Sequence, residues 1–76
     1  MNRVQVFLRA PLFSTRDDGH LPRRAMILDG DVKETGNGGL MLIVRGWRNE
    51  QGAQLNGEER TLFIPNSKVD HIWVLD

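Results

Sequence analysis

The sequence predicts an all-β domain: five short strands in one strongly bent sheet, curled into a small barrel, with at most one helical turn near residues 66–69. Three observations carry this. Apolar residues alternate, or run together, in short segments bounded by Gly, Pro and Asn. An Asn-Gly pair, Asn37-Gly38, lies between two of those segments and is the strongest short-range hairpin signal a sequence offers. No stretch sustains the period of a helix.

Residues 3–9 alternate, with Val4, Val6 and Leu8 on one side and Arg3, Gln5, Phe7 and Arg9 on the other, as a half-buried strand does. Ala10-Pro11 ends its pairing, because Pro has no ladder donor. Residues 14–24 read as a polar loop holding Asp17, Asp18 and His20, a grouping better explained by solvation than by a metal or acid–base site. A second strand runs from Ala25 to Lys33, with Met26, Leu28, Gly30 and Val32 sharing a face. Gly30 within it marks a bend or bulge. The run Thr35-Gly36-Asn37-Gly38-Gly39 leads into a strand rather than a helix and lacks a following Lys-Ser/Thr, so it is a turn and not a phosphate loop.

The third strand, Leu40 to Trp47, is apolar on both faces: Leu40, Leu42 and Val44 on one, Met41, Ile43 and Trp47 on the other. Residues 48–59 read as an exposed hairpin tip that returns into a fourth strand, Arg60 to Ile64. Pro65 and Asn66 break the chain before a last strand that reaches Leu75.

The chain has 76 residues, enough for one domain with a marginal core, since so short a chain buries only about 60% of its unfolded surface. Disulfides, metals and oligomerisation are the usual reinforcements. There is no Cys, and His20 and His71 lack chelating spacing, so the sequence predicts no cofactor and no metal, and leaves oligomerisation. It predicts no enzyme and no small-molecule substrate, since no nucleophile–base pair or ligand cluster is visible. The N-terminal stretch is too interrupted for a signal peptide, and no apolar run reaches bilayer length, which points to a cytoplasmic protein free of membrane. Ten basic residues balance ten acidic ones, but residues 1–28 carry five Arg against two Asp and the remainder is correspondingly acidic. That asymmetry suits phosphate or an acidic neighbouring subunit, and equally an ordinary mixed surface.

At its C-terminal end the chain resembles the Sm-like family of small β-barrels. The residues that carry the likeness are Leu62-Phe63-Ile64, the turn Pro65-Asn66-Ser67-Lys68, and Val69-Asp70-His71-Ile72. The segment Leu28-Asp29-Gly30-Asp31-Val32, followed by a Gly turn and an apolar strand, is loosely similar to the family's first motif. The resemblance implies rings of identical subunits, in which the fourth strand of one copy joins the fifth of the next. It implies RNA binding less strongly. Gly36-Asn37-Gly38-Gly39 stands where the RNA binders carry an Asp…Asn pattern, and Pro65-Asn66 stands where they carry Arg-Gly. The family's N-terminal helix also has no counterpart, because residues 3–9 read as a strand; a permuted or SH3-like barrel fits that feature.

Alternation in the last strand places Ile72 and Val74 on one face and His71, Trp73 and Leu75 on the other. If the first face lines the core, Trp73 and Leu75 project outward from an edge strand, which invites pairing with another chain. Phe63, His71, Trp73 and Leu75 are therefore the expected interface. Asn37, Arg45, Trp47, Arg48, Asn66 and Lys68 are the candidate contacts to RNA or a partner protein, Trp47 between its two arginines coming nearest to an aromatic platform among cations. The sequence thus predicts a non-enzymatic homo-oligomeric assembly module. The alternative is a monomeric SH3-like domain that binds a peptide or a larger partner protein through Trp47, Trp73 and the 48–59 tip.

Overall fold

The computed structural model describes residues 3–12 and 24–75. It contains six antiparallel strands: β1 (Arg3–Leu8), β2 (Ile27–Gly36), β3 (Gly39–Arg48), β4 (Gln54–Leu55), β5 (Arg60–Pro65) and β6 (Val69–Val74), with a single 3-10 turn, Asn66–Lys68, between the last two. The loop expected at 14–24, with Asp17, Asp18 and His20, lies outside the described residues apart from Arg24. The strands form one sheet in the order β4-β3-β2-β1-β6, and β5 pairs with β3 beyond β4. The sheet is all-β as the sequence predicts. It has six strands rather than five, and no ladder joins β5 to β6.

A single sheet has no second layer to cover its apolar face, so it buries that face by curling over it. Val4, Val6, Leu8, Leu28, Leu40, Leu42, Val44, Trp47 and Ile64 all lie on the concave side and make one cluster, several of them with no exposed surface at all. The cross-strand rows follow the pleat. Val6, Leu28 and Trp47 are neighbours across β1, β2 and β3, and so are Val4, Gly30 and Val44.

The curl has identifiable causes. The register between β2 and β3 slips at Asp29/Gly30 and again between Val32 and Glu34. Each slip is an extra residue on one strand, which bends the strand and deepens its twist. Gly30 sits at the first slip, and a Cβ there would run into the backbone of Ile43 and Val44. Backbone cannot yield as a flexible side chain can, so Gly30→Ala is expected to cost about 1–3 kcal/mol of stability. Urea denaturation of the variant checks this, and an unchanged midpoint would show that the strands are not so closely opposed.

The first slip also corrects the expected face of Trp47. Asp29 opposes Gly46 while Gly30 opposes Val44, so Arg45 is the extra residue of β3. Strict alternation places Trp47 with Met41 and Ile43. The bulge reverses the parity, and Trp47 joins Leu42 and Val44 in the core at 2% exposure.

The turn between β2 and β3 is as the Asn-Gly pair predicts. Asn37 and Gly38 both have positive φ, 55° and 82°, the pairing a type I′ turn requires. The tip at residues 48–59 is tied down more than the sequence suggests. The Asn49 side chain accepts from the backbone N–H groups of Gln51 and Ala53, both at 2.9 Å. Gln54 and Leu55 then pair back onto Arg48 and Trp47 as β4. A two-residue strand carries too little pattern to be read from sequence.

Candidate functional site

Both edges of the sheet are open at its C-terminal end. β5 pairs with β3 on one side only, and β6 with β1 on one side only. The exposed large apolar residues of the described chain are Phe63, Ile72, Trp73, Val74 and Leu75. All of them lie on β5, on β6 or on the residue that follows it. Charge and proline, the usual blunting of an edge strand, stand only toward the strand ends here, at Arg60 and Pro65 of β5 and Asp70 of β6.

On the outer side, Trp73 stands across from Gln5 and is 59% exposed, and Phe63 on β5 is 47% exposed. His71 stands across from Phe7, and the two rings stack with centroids 4.3 Å apart and planes 11° from parallel. Its Nδ1 lies 3.0 Å from an Asp70 carboxylate oxygen. The predicted interface residues Phe63, His71, Trp73 and Leu75 are thus all exposed, His71 with one ring face already covered by Phe7.

On the inner side, Ile72 and Val74 oppose Val6 and Val4, so the sequence places them on the correct face. They are not covered, however, since β5 does not reach across to them. With Val4, Val32 and Leu40 they line an open groove of about 530 Å³ at the mouth of the core. Lys33, Glu34 and Thr35 complete its lining.

The candidate contacts divide into two sets. Asn37 and Asn66, distant in sequence, are brought together: the Asn66 backbone N–H donates to the Gly38 carbonyl at 2.8 Å, so the β2–β3 turn lies against the 3-10 turn. Asn37, Asn66 and Lys68 are exposed around this junction. The other three sit elsewhere and are engaged. Trp47 is enclosed in the core and donates from Nε1 to the Glu58 carbonyl at 2.9 Å, so its ring presents no free face for a base. Arg45 donates from Nε to Asp31 at 2.6 Å and from Nη1 to Glu59 at 2.9 Å. The hydrogen bond to Asp31, with the charges of both carboxylates, raises its pKa above the ordinary arginine value. Arg48 donates from Nε to Asp29 at 2.8 Å and from Nη1 to the Gly52 carbonyl at 3.0 Å.

Among the described residues, no three His, Cys, Asp or Glu side chains come together as metal ligands, and no helix is long and apolar enough to cross a membrane. Compared with protein-family models, curated proteins and solved structures, the chain matches none of them.

The unpaired, apolar edge of β5 was legible in the alternation only as a strand. What sequence reasoning missed is that both faces of β6 are uncovered, because neighbour relations between strands far apart in the chain are not written in either strand. It also missed Arg3 and Gln54, which the sheet gathers beside Arg45 and Arg48.

Proposed function

We infer that the chain is a non-enzymatic assembly module: a small barrel of Sm-like or SH3-like type, left open in the single chain and completed by other copies of itself. The observation that carries this reading is that, among the described residues, every exposed large apolar side chain lies on β5, on β6 or on Leu75 just after it, at the two edges left open. An open edge supplies a row of backbone donors and acceptors, and the apolar residues beside it supply the burial that makes pairing favourable.

The two edges are different surfaces. Contact between β5 of one copy and β6 of the next is therefore head-to-tail, and such contacts close into a ring or run on as a filament. In an antiparallel arrangement, the core-side Leu62 and Ile64 continue into Ile72 and Val74 of the neighbour, filling the groove at the mouth. Phe63 meets Trp73 of the neighbour on the outer side. An aromatic cross-strand pair of this kind contributes about 0.2–1 kcal/mol relative to a pair of alanines.

A second reading is favoured by the groove itself: a β-strand from a different protein would add to β6 by the same backbone hydrogen bonds. RNA contact at Asn37, Asn66 and Lys68 is supported by the junction of their two turns, but with a single cation there it is the weaker function. Light scattering over a range of concentrations separates the readings. The assembly module is expected to show a discrete multiple of 8.7 kDa. A monomer persisting at high micromolar concentration would overturn it and leave the peptide-binding domain.

A further inference from the structure

The chain holds two Asn-Gly pairs, Asn37-Gly38 and Asn56-Gly57, and the fold treats them oppositely. In such a pair the backbone nitrogen of Gly attacks the side-chain amide carbon of Asn, because no Cβ on Gly hinders the approach. Ring closure requires that nitrogen to swing toward the Asn side chain. A backbone held in another conformation blocks it.

Asn37-Gly38 is held in this way. Both residues lie in the left-handed region, at φ 55° and 82°, in a turn closed by the Gly36–Gly39 pair of β2 and β3. The Gly38 carbonyl is also fastened by the Asn66 backbone N–H at 2.8 Å. Asn49, at the start of the tip, has its side-chain oxygen held by two backbone N–H groups and is followed by Glu. Asn56-Gly57 has none of these restraints. Both residues are exposed and lie between β4 and β5, in no strand. Among the described residues, nothing bonds to the Asn56 side chain or accepts from the Gly57 N–H.

We propose that Asn56 is a site of spontaneous modification, deamidating in the native fold through a succinimide formed with the Gly57 nitrogen. The bond from Gly57 N to Asn56 Cγ forms, the Cγ–NH₂ bond breaks, and ammonia leaves with the proton of the Gly57 amide. Water then opens the ring at either carbonyl. The product is an aspartate, or an isoaspartate whose backbone is longer by one methylene. Residues 56–59 connect Leu55, paired with Trp47, to Arg60, paired with Val44. Within that span the Glu58 carbonyl accepts from Trp47 Nε1 and the Glu59 carboxylate from Arg45 Nη1, each at 2.9 Å. The longer backbone and the new carboxylate beside Glu58 and Glu59 both act on these two bonds.

The test is incubation of the full-length protein at mildly alkaline pH, folded and in guanidinium chloride, followed by tryptic digestion and mass spectrometry. Trypsin places the two pairs on different peptides, 34–45 and 49–60, and fragmentation separates Asn56 from Asn49. In the denatured chain both pairs are expected to react at similar rates. In the folded protein Asn56 is expected to keep close to that rate. Asn37 should fall at least about tenfold behind, because its turn must open first and the open form is a minor population. Equal folded-state rates at the two pairs, or protection of Asn56 as strong as that of Asn37, would overturn the proposal. Reacted protein should also show a displaced Trp47 Nε1–H signal in ¹H–¹⁵N NMR. Asn56→Gln, incubated identically, should not develop it, since the larger ring closes far less readily. A Trp47 signal unmoved in reacted protein would overturn the link to the tip.

Discussion

Trp73→Glu is expected to reduce the protein to a monomer of 8.7 kDa while leaving its β-type circular dichroism intact. Trp73 is 59% exposed, on the outer side of an edge strand, and stands across from the polar Gln5. Nothing in the core of the single chain depends on it, so within the monomer the change falls in the range of surface substitutions, about 0.5 kcal/mol either way. In a strand-paired assembly the same carboxylate would be placed beside Phe63 of the neighbour and deprived of water. Burying an unpaired charge shifts its pKa or expels it, at a cost of several kcal/mol. Every junction of the assembly carries one such carboxylate, which makes the effect on assembly much larger than the effect on folding.

Phe63→Glu is expected to do the same from the other edge, being 47% exposed on β5. Placing opposite charges on the two edges of one chain discriminates further. If β5 of one copy meets β6 of the next, a chain carrying both Phe63→Glu and Trp73→Lys places opposite charges across each junction and should recover part of the assembly. Light scattering reads all three. A Trp73→Glu variant with the mass of the parent would remove β6 from the interface, and one that loses its β signal would place Trp73 in the core instead.

Trp47→Ala carries the largest expected effect on the fold. Trp47 is 2% exposed, packs in the one core cluster and anchors the 48–59 tip through its bond to the Glu58 carbonyl. Truncating a buried tryptophan costs about 3–5 kcal/mol. A domain of this size has a total stability of roughly 4–11 kcal/mol, by the per-residue scale of small proteins. The variant should therefore lose from about a quarter to all of its stability. Trp47→Phe keeps most of the packing and removes the indole donor, and is expected to cost about 1–3 kcal/mol. Chemical denaturation checks both. The parent's two tryptophans also give a direct readout, since Trp47 should emit as a buried indole and Trp73 as an exposed one. A mild loss in Trp47→Ala would mean that the tip and the core are less coupled than their contacts indicate.

These two tryptophans also show where sequence reading succeeds and where it stops. Trp73 is placed on the outer face by alternation along a short, regular strand, and the structure has it there. Trp47 is placed on the wrong face by the same rule, because the rule counts residues by parity and one extra residue, Arg45, reverses the count. A bulge leaves little trace in the strand that contains it. The trace was on the facing strand, at Gly30, where the absence of a side chain marks the close approach of Ile43 and Val44.

What the sequence determined by itself is local. The β-rich segments, the Asn37-Gly38 turn with its two positive φ angles, the bend at Gly30 and the single turn after Pro65 each follow from residues adjacent in the chain, whose backbone preferences need no distant partner. Tertiary structure decided which segments are neighbours. It set β4 against β3, left β5 and β6 each paired on one side only, uncovered Ile72 and Val74, and gathered Arg3, Arg45 and Arg48 around Gly46. Those outcomes depend on how far a curled sheet reaches round itself. That reach is set by the sum of twist, bulges and core volume over all six strands, a quantity that no one segment contains.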